Sequence, residues 1–439
     1  MAKRSIPAVV SVIAGAALAL TGCSGSGSGP AVPTGGTGSG GTAVDITFWS
    51  AIGGMDAVTA KFNATHQNIH VSFTAIPNGG GGGYAKLATA IKAGNGPDVA
   101  GFEYPQLPEF AAAGQLQSLT KHLDKASFGK YPESARNLVT FGGQTYGVPY
   151  DSAPMIAYYR QDQLKAVGVD KAPATWKEFE VAGKKLKAKG KYIASFNPND
   201  PASFVGLAWA AGARWFQPKD DAWQVNFTDS QAEQVAARVQ RFINEGIVKV
   251  EPSFSDQWNS DLAHSKVVGV FGASWSATGI QKATESGKQK GDWIAAPVPT
   301  TAGTPSGAYY GGTAWAVTKS SKHVDAASEF AQWLGENPEA IKARGDAGSA
   351  YLAYPGMTAV AKKVFDAGYF ANDIYSVFDT AYRSVTPDWQ WGPDWDISNT
   401  ALMDAFGKVG SGTTISSALS AAQQRTLTGL KQKGFSIAK

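Results

Sequence analysis

Apolar and polar residues alternate through Val44-Asp45-Ile46-Thr47-Phe48-Trp49, the period of a strand, and then recur at Met55, Val58 and Phe62, the period of a helix. Ile69, Val71 and Phe73 form a second alternating run. Leu87, Ala90 and Ile91 fall on one helical stripe, and Gly94 stands where a C-terminal cap glycine belongs. A third strand is expected from Asp98 to Phe102, followed by a helix that ends near Gly114. This β-α-β-α-β order predicts an α/β fold with a mainly parallel sheet covered on both faces. Ligands of such sheets sit beyond the carboxyl ends of the strands. The loops Ser50–Gly54 and Glu103–Pro105 are therefore the ones that reach a ligand.

A second region begins after the turn-rich Phe141-Gly142-Gly143-Gln144 and the segment Gly147–Asp151. Thr175 is placed to cap a helix whose inward stripe is Trp176, Phe179, Ala182 and Leu186, with Glu178 completing a capping box. Another helix is expected over Ser230–Glu245, with Val235, Val239 and Phe242 inward. Ser265 to Phe271 leads through small residues to Trp275, and further strands are expected at Ile294–Pro297 and Tyr309–Thr318. Val324–Leu334 has helical spacing, and no repeat of 20 to 50 residues is present.

Before this body the pattern changes. Lys3 and Arg4 precede an apolar run from Ile6 to Leu20, and the run closes on Leu20-Thr21-Gly22-Cys23. A basic start, a short apolar stretch and small residues before a cysteine make a secretory signal over residues 1–22. The run is shorter than the roughly 20 residues that span a bilayer. Its end resembles a bacterial lipobox, in which Cys23 becomes the lipidated first residue of the mature chain. Cys23 is the only cysteine, so no disulfide, Cys-x-x-Cys pair or cysteine metal site is expected. The remainder of residues 23–43 is almost entirely Gly, Ser, Thr and Pro, a flexible leash of roughly 25 Å by the random-coil estimate. Its Gly36-Thr37-Gly38-Ser39-Gly40-Gly41 matches G-x-G-x-x-G only by composition, because no strand precedes it.

Once Lys3 and Arg4 leave, the formal charge falls from +4 to +2, which provides no basic field for nucleic acid. Aromatic residues reach 11 %, with 13 Trp. They fill a core, or they present flat faces to carbohydrate. Enzyme signatures are weak. Gly272-Ala273-Ser274-Trp275-Ser276 ends in Ser where a nucleophile elbow needs Gly. His66, His70, His122, His264 and His323 are scattered, and neither H-E-x-x-H nor a Walker motif occurs. No cofactor and no metal are expected.

The carbohydrate reading of the aromatic residues, if it is taken, nominates particular residues. Indoles complement the apolar faces of a sugar, and carboxylates accept from its hydroxyls. Glu103 ends the third expected strand, as ligand contact or as exposed loop acid. Asp151 lies at the entry to the second region, as ligand contact or as a staple of the hinge. Asp200 precedes a helix expected near Ser203, as ligand contact or plain N-terminal cap. Ser50 and Gly312 are candidates for backbone-level contacts. Pro387-Asp388-Trp389-Gln390-Trp391-Gly392-Pro393-Asp394-Trp395 cannot continue as regular helix or strand. At least one of its three indoles, above all Trp391 and with Trp389 also nominated, is expected to face the cleft, the alternative being that all three plug the C-terminal helices into the core.

Five segments in order resemble the bacterial extracellular solute-binding family that includes maltose-binding protein. They are Gly94-Asn95-Gly96-Pro97-Asp98-Val99; Gly143–Pro149 with Tyr158-Tyr159-Arg160; Pro173-Ala174-Thr175-Trp176-Lys177-Glu178-Phe179; Lys266–Trp275; and Gly311-Gly312-Thr313 with Ala326-Ala327-Ser328-Glu329-Phe330. Arg160 stands where that family has Asn. The resemblance implies a two-lobed clamp with residues 44–150 and about 314–364 in one lobe, and 151–313 and about 365–439 in the other. It also places Trp275 in the sugar platform. What it implies for function is a monomeric lipoprotein on the extracytoplasmic face of the cell membrane. Such a protein binds a sugar or oligosaccharide and hands it to an ABC-type permease of two membrane subunits with cytoplasmic ATPases. The other reading from the same residues is a cell-surface glycoside hydrolase with paired carboxylates.

Overall fold

The computed structural model describes residues 43–79, 82–345 and 351–438. Cys23, the signal and residues 24–42 of the leash lie outside the described residues. The described residues form one compact unit.

Its first sheet has five strands in the order Ile69–Ala75, Val44–Ser50, Val99–Glu103, Thr313–Val317, Val148–Pro149. The first three are parallel, in the register Phe48 opposite Phe73 and Phe48 opposite Val99. Thr313–Val317 returns from the second sheet and pairs antiparallel with both Val99–Glu103 and Val148–Pro149. Alternation along Val44–Ser50 sends Ile46 and Phe48 into the core, where Phe48 meets Trp315 and Phe330 edge-on.

The second sheet departs from the expected parallel arrangement. Met155–Arg160 is its centre and pairs antiparallel with Gly269–Ala273 on one side and Trp293–Pro297 on the other. The strand Met155–Arg160 arrives directly from the first sheet rather than through a helical crossover, so nothing imposes the parallel sense that β-α-β units require. Parallel pairing returns at the flank, where Ala194–Phe196 pairs with Val248–Val250 and Tyr192 bridges to Val267.

Local signals act as their chemistry dictates. Glu178 N–H donates to Thr175 Oγ1 at 3.1 Å and Thr175 N–H donates back to Glu178 Oε2 at 3.0 Å, the two halves of the capping box. The helix after Asp200 begins at Pro201 rather than Ser203, with proline supplying a first residue that needs no N–H partner. The two sheets are joined where the chain passes through Tyr150–Pro154 and returns through Tyr309–Thr313. Residues Tyr351–Ala353 lie alongside: Ser152 N–H donates to Tyr351 O and Ala353 N–H to Tyr150 O, both at 2.9 Å. Helices Trp395–Phe406 and Ile415–Gln432 bury Leu402, Phe406, Leu419 and Leu430 in the core that holds Trp215 and Phe227. Among the described residues no helix is long and apolar enough to cross a membrane.

Candidate ligand-binding cleft

A cavity of about 520 Å³ opens where strand ends of both sheets face each other. Glu103 closes the strand Val99–Glu103, Asp200 and Phe254 follow the strands ending at Phe196 and Val250, and Trp275 follows the strand ending at Ala273. That is the position at which ligands of α/β sheets bind.

Five of the residues nominated from sequence line this cavity: Glu103, Asp151, Asp200, Trp275 and Gly312. Their fixings differ. Glu103 is open to the cleft, its backbone N–H donating to the Tyr84 hydroxyl at 2.8 Å. Asp151 is buried, and its Oδ1 accepts the Thr313 N–H at 2.6 Å. Asp200 accepts from the Tyr310 hydroxyl. Trp275 Nε1–H donates to Tyr310 O at 2.9 Å, which fixes the indole 6.2 Å from Phe254 between ring centroids, the planes inclined 43°. Gly312 has φ +95°, and a Cβ there would stand 2.7 Å from the Tyr104 ring and 3.0 Å from Asp151 O. Only glycine lets the chain pass so close.

Three nominations are placed elsewhere. Ser50 is buried and does not line the cavity, its Oγ accepting the Ile52 N–H at 3.0 Å in the turn after the first strand. It lines only a smaller recess next to Glu103. Trp389 and Trp391 are buried in the core and do not line the cavity. Trp389 stacks on Trp209 with centroids 5.1 Å apart, and Trp391 packs edge-on between Trp389 and Trp395. The expectation that Trp391 faces the cleft is thus corrected. Two prolines and a glycine turn the loop back on itself, and stacking against other indoles removes more apolar area from water than an open cleft does.

The third indole of that stretch, Trp395, does line the cavity, together with Tyr150, Tyr310, Phe254 and Arg344, none of them nominated from sequence. Trp395 carried a signal: Asp394 caps the helix through Ile397 N–H at 3.1 Å, which sets Trp395 at its first residue. Arg344, the last residue of the helix Pro338–Arg344, carried none. Its Nη1–H donates to the Tyr150 hydroxyl and its Nε–H to Gly53 O, both at 3.2 Å.

The electrostatics follow from enclosure. The cleft walls thin the water around Glu103 without closing it off, and with the neighbouring carboxylates Asp200, Asp151 and Asp396 they push it up to about 7. Burial pushes Asp151 to about 6, against the opposing pull of the Thr313 N–H and the Arg344 guanidinium. Burial also raises Asp200, moderated by the Tyr310 hydroxyl. Acceptors, a guanidinium donor and flat apolar faces in one cavity suit a ligand whose rim is hydroxylated and whose faces are C–H.

Known proteins bear on this geometry. The description of bacterial extracellular solute-binding proteins matches residues 49–341. A lactose-binding protein of Rhizobium radiobacter is 30 % identical over 255 residues, 55 % of this chain and 58 % of that protein. An uncharacterized lipoprotein of Streptomyces antibioticus is 30 % identical over 233 residues, 50 % of this chain and 48 % of that protein. The chain thus spans about half the length of these relatives. The galacto-N-biose-/lacto-N-biose I-binding protein of the ABC transporter from Bifidobacterium longum, solved with lacto-N-biose, superposes with a TM-score of 0.81 at 25 % identity. That match covers 91 % of this chain and 100 % of the other. The fold is the two-lobed α/β architecture of such binding proteins, and the chain belongs to the bacterial extracellular solute-binding protein family.

Proposed function

We propose that this protein captures a sugar or oligosaccharide outside the cytoplasm, leaves it chemically unchanged and delivers it to an ABC-type membrane permease. The observation that carries this reading is the union, in one cavity, of Trp275 with the hydroxyl acceptors Glu103, Asp151 and Asp200 and the donor Arg344. The lactose-binding relative and the lacto-N-biose complex support the substrate class. Ligand drives closure of such a clamp only as far as it binds the closed form better.

Cys23 carries the lipid that anchors the monomer to the extracytoplasmic face, beside its permease. The lipoprotein of Streptomyces antibioticus supports the anchor. One lobe comprises residues 44–150 and about 314–364, the other 151–313 and about 365–439. The passages at Tyr150–Pro154 and Tyr309–Thr313 support these limits.

Tryptophan fluorescence titrated against a panel of mono- and oligosaccharides, with chromatography of the products, tests the reading. Saturable quenching or enhancement without new products is expected. Conversion of any glycoside at catalytic protein concentrations overturns it in favour of a hydrolase built on Glu103 and its neighbouring carboxylates.

A further inference from the structure

Phe254 combines two features that each work against folding. Its side chain is 57 % exposed, so the ring forgoes the burial that normally stabilises a phenylalanine. Its backbone is held at φ +59°, where Cβ crowds the chain and glycine is the natural occupant. Among the described residues it is the one large apolar side chain that is both exposed and left-handed. Strain of this kind persists only where the surroundings impose it.

The surroundings here do so on both sides. The Asn199 side chain clamps the preceding residue: Ser253 N–H donates to Asn199 Oδ1 at 2.8 Å, and Asn199 Nδ2–H donates to Ser253 O at 3.2 Å. On the other side Ser255 Oγ–H donates to Pro252 O at 2.9 Å and accepts the Trp258 N–H at 3.1 Å, starting the next helix. Asn199 adjoins Asp200, so one loop fixes both a cleft carboxylate and the Phe254 backbone.

The ring so held lines the cavity beside Trp275. Buried Trp258 supports it from behind at 5.3 Å, and its plane is inclined 43° to that of Trp275 at 6.2 Å. Two neighbouring platforms inclined to each other cannot both be covered by one flat ring. Two rings joined at a bend can cover both. The cavity of about 520 Å³ lies within the ~300–1,000 Å³ typical of small-molecule sites.

Resting on the carbohydrate reading above, we infer that Phe254 is a second stacking platform that selects ligands of at least two linked sugar rings over single rings. The Asn199 clamp keeps it in place before ligand arrives, so binding need not order the loop.

The experiment titrates wild type, Phe254→Ala, Phe254→Gly and Phe254→Tyr with lacto-N-biose, lactose and maltotriose, and with galactose, glucose and N-acetylglucosamine. Phe254→Ala should weaken the best two- or three-ring sugar by about 10- to 100-fold, and single sugars by less than about 3-fold. Phe254→Tyr keeps the flat face and should restore most of the loss. Phe254→Gly should show the same selective loss while its ligand-free denaturation midpoint rises, because the strain is gone.

Unchanged affinity in Phe254→Ala, equal losses for single and linked rings, or a wild type that prefers single sugars overturns the inference and leaves the carbohydrate reading standing. A wild type that binds none of the six sugars overturns both.

Discussion

The Asp151 carboxylate accepts the backbone N–H of Thr313 at 2.6 Å, tying the passage that leaves the first sheet to the one that returns to it. Tyr150 N–H donates to Thr313 O at 2.8 Å and Tyr104 OH to Asp151 O at 2.9 Å, so the staple has three threads. The same side chain lines the cavity, so Asp151 stands both at the joint between the two passages and at the cleft wall. Asp151→Ala leaves the Thr313 N–H without its acceptor and should destabilise the ligand-free protein by ~1–3 kcal/mol. Asp151→Asn retains a carbonyl acceptor and should cost less. Urea midpoints of the two variants check this, and equal midpoints would show that the staple is not what Asp151 contributes.

Much of this arrangement was legible in the sequence because it rests on short-range rules. The alternation at Val44–Ser50, the Thr175–Glu178 capping box and the glycine pair at Gly311-Gly312 each act within a few residues. Glu103 follows from the rule that ligands sit beyond strand ends, Asp200 from its place before a helix, and Trp275 from the family resemblance. What escaped depends on distance along the chain. Arg344 reaches the cleft only because its helix ends beside Tyr150 and Gly53. Phe254 does so because Asn199 clamps its loop. Trp391 lies in the loop and Trp395 opens the helix after it, and the loop indole is drawn into the core by packing on Trp389, itself stacked on Trp209, rather than by spacing.

Glu103 and Asp151, raised to about 7 and about 6, give the ligand-free protein a defined pH slope. A carboxyl whose folded pKa exceeds its unfolded value holds more protons in the folded state, so its contribution is complete below the unfolded value. That contribution is lost as pH rises through about 6 for Asp151 and about 7 for Glu103. Denaturation midpoints should therefore fall between about pH 5 and about pH 8, and less steeply in Glu103→Gln. Sugar affinity should move the other way, since hydroxyls bond more strongly to the ionised acceptor. An identical slope in Glu103→Gln and wild type would refute the assignment.

Gly312 offers a test of how closely the passages approach. At φ +95°, with a Cβ position 2.7 Å from the Tyr104 ring, Gly312→Ala must shift either the Tyr104 ring or the chain. The change should destabilise by more than the ~1 kcal/mol ordinarily set by backbone entropy. It should also weaken sugar binding, because Thr313 moves off Asp151. Midpoint and affinity measured on the same preparation decide it. A variant that melts like wild type and binds like wild type would mean the passages have slack.

Trp275 and Trp391 should separate cleanly into a cleft indole and a core indole. Trp391 is 4 % exposed and packs edge-on against Trp389 and Trp395 at 5.5 and 4.7 Å. Truncating a core indole to alanine typically costs ~3–5 kcal/mol of folding stability, since the cavity left behind only partly collapses. Trp391→Ala should therefore lower the ligand-free denaturation midpoint strongly, while the fraction that stays folded binds sugar with near-native affinity. Trp275 is only partly buried and lines the cavity. Its one fixed polar contact is Nε1–H to Tyr310 O, so Trp275→Ala should cost about 1 kcal/mol for that bond plus a modest packing loss. Covering an indole with a sugar removes apolar area worth ~25 cal/mol per Å², so affinity should fall by about one to three orders of magnitude. Plotting midpoint shift against affinity loss should place the two variants on opposite axes. If Trp391→Ala binds weakly while melting normally, the loop swings its indole into the cleft when sugar is bound, and Trp391 belongs to the site after all.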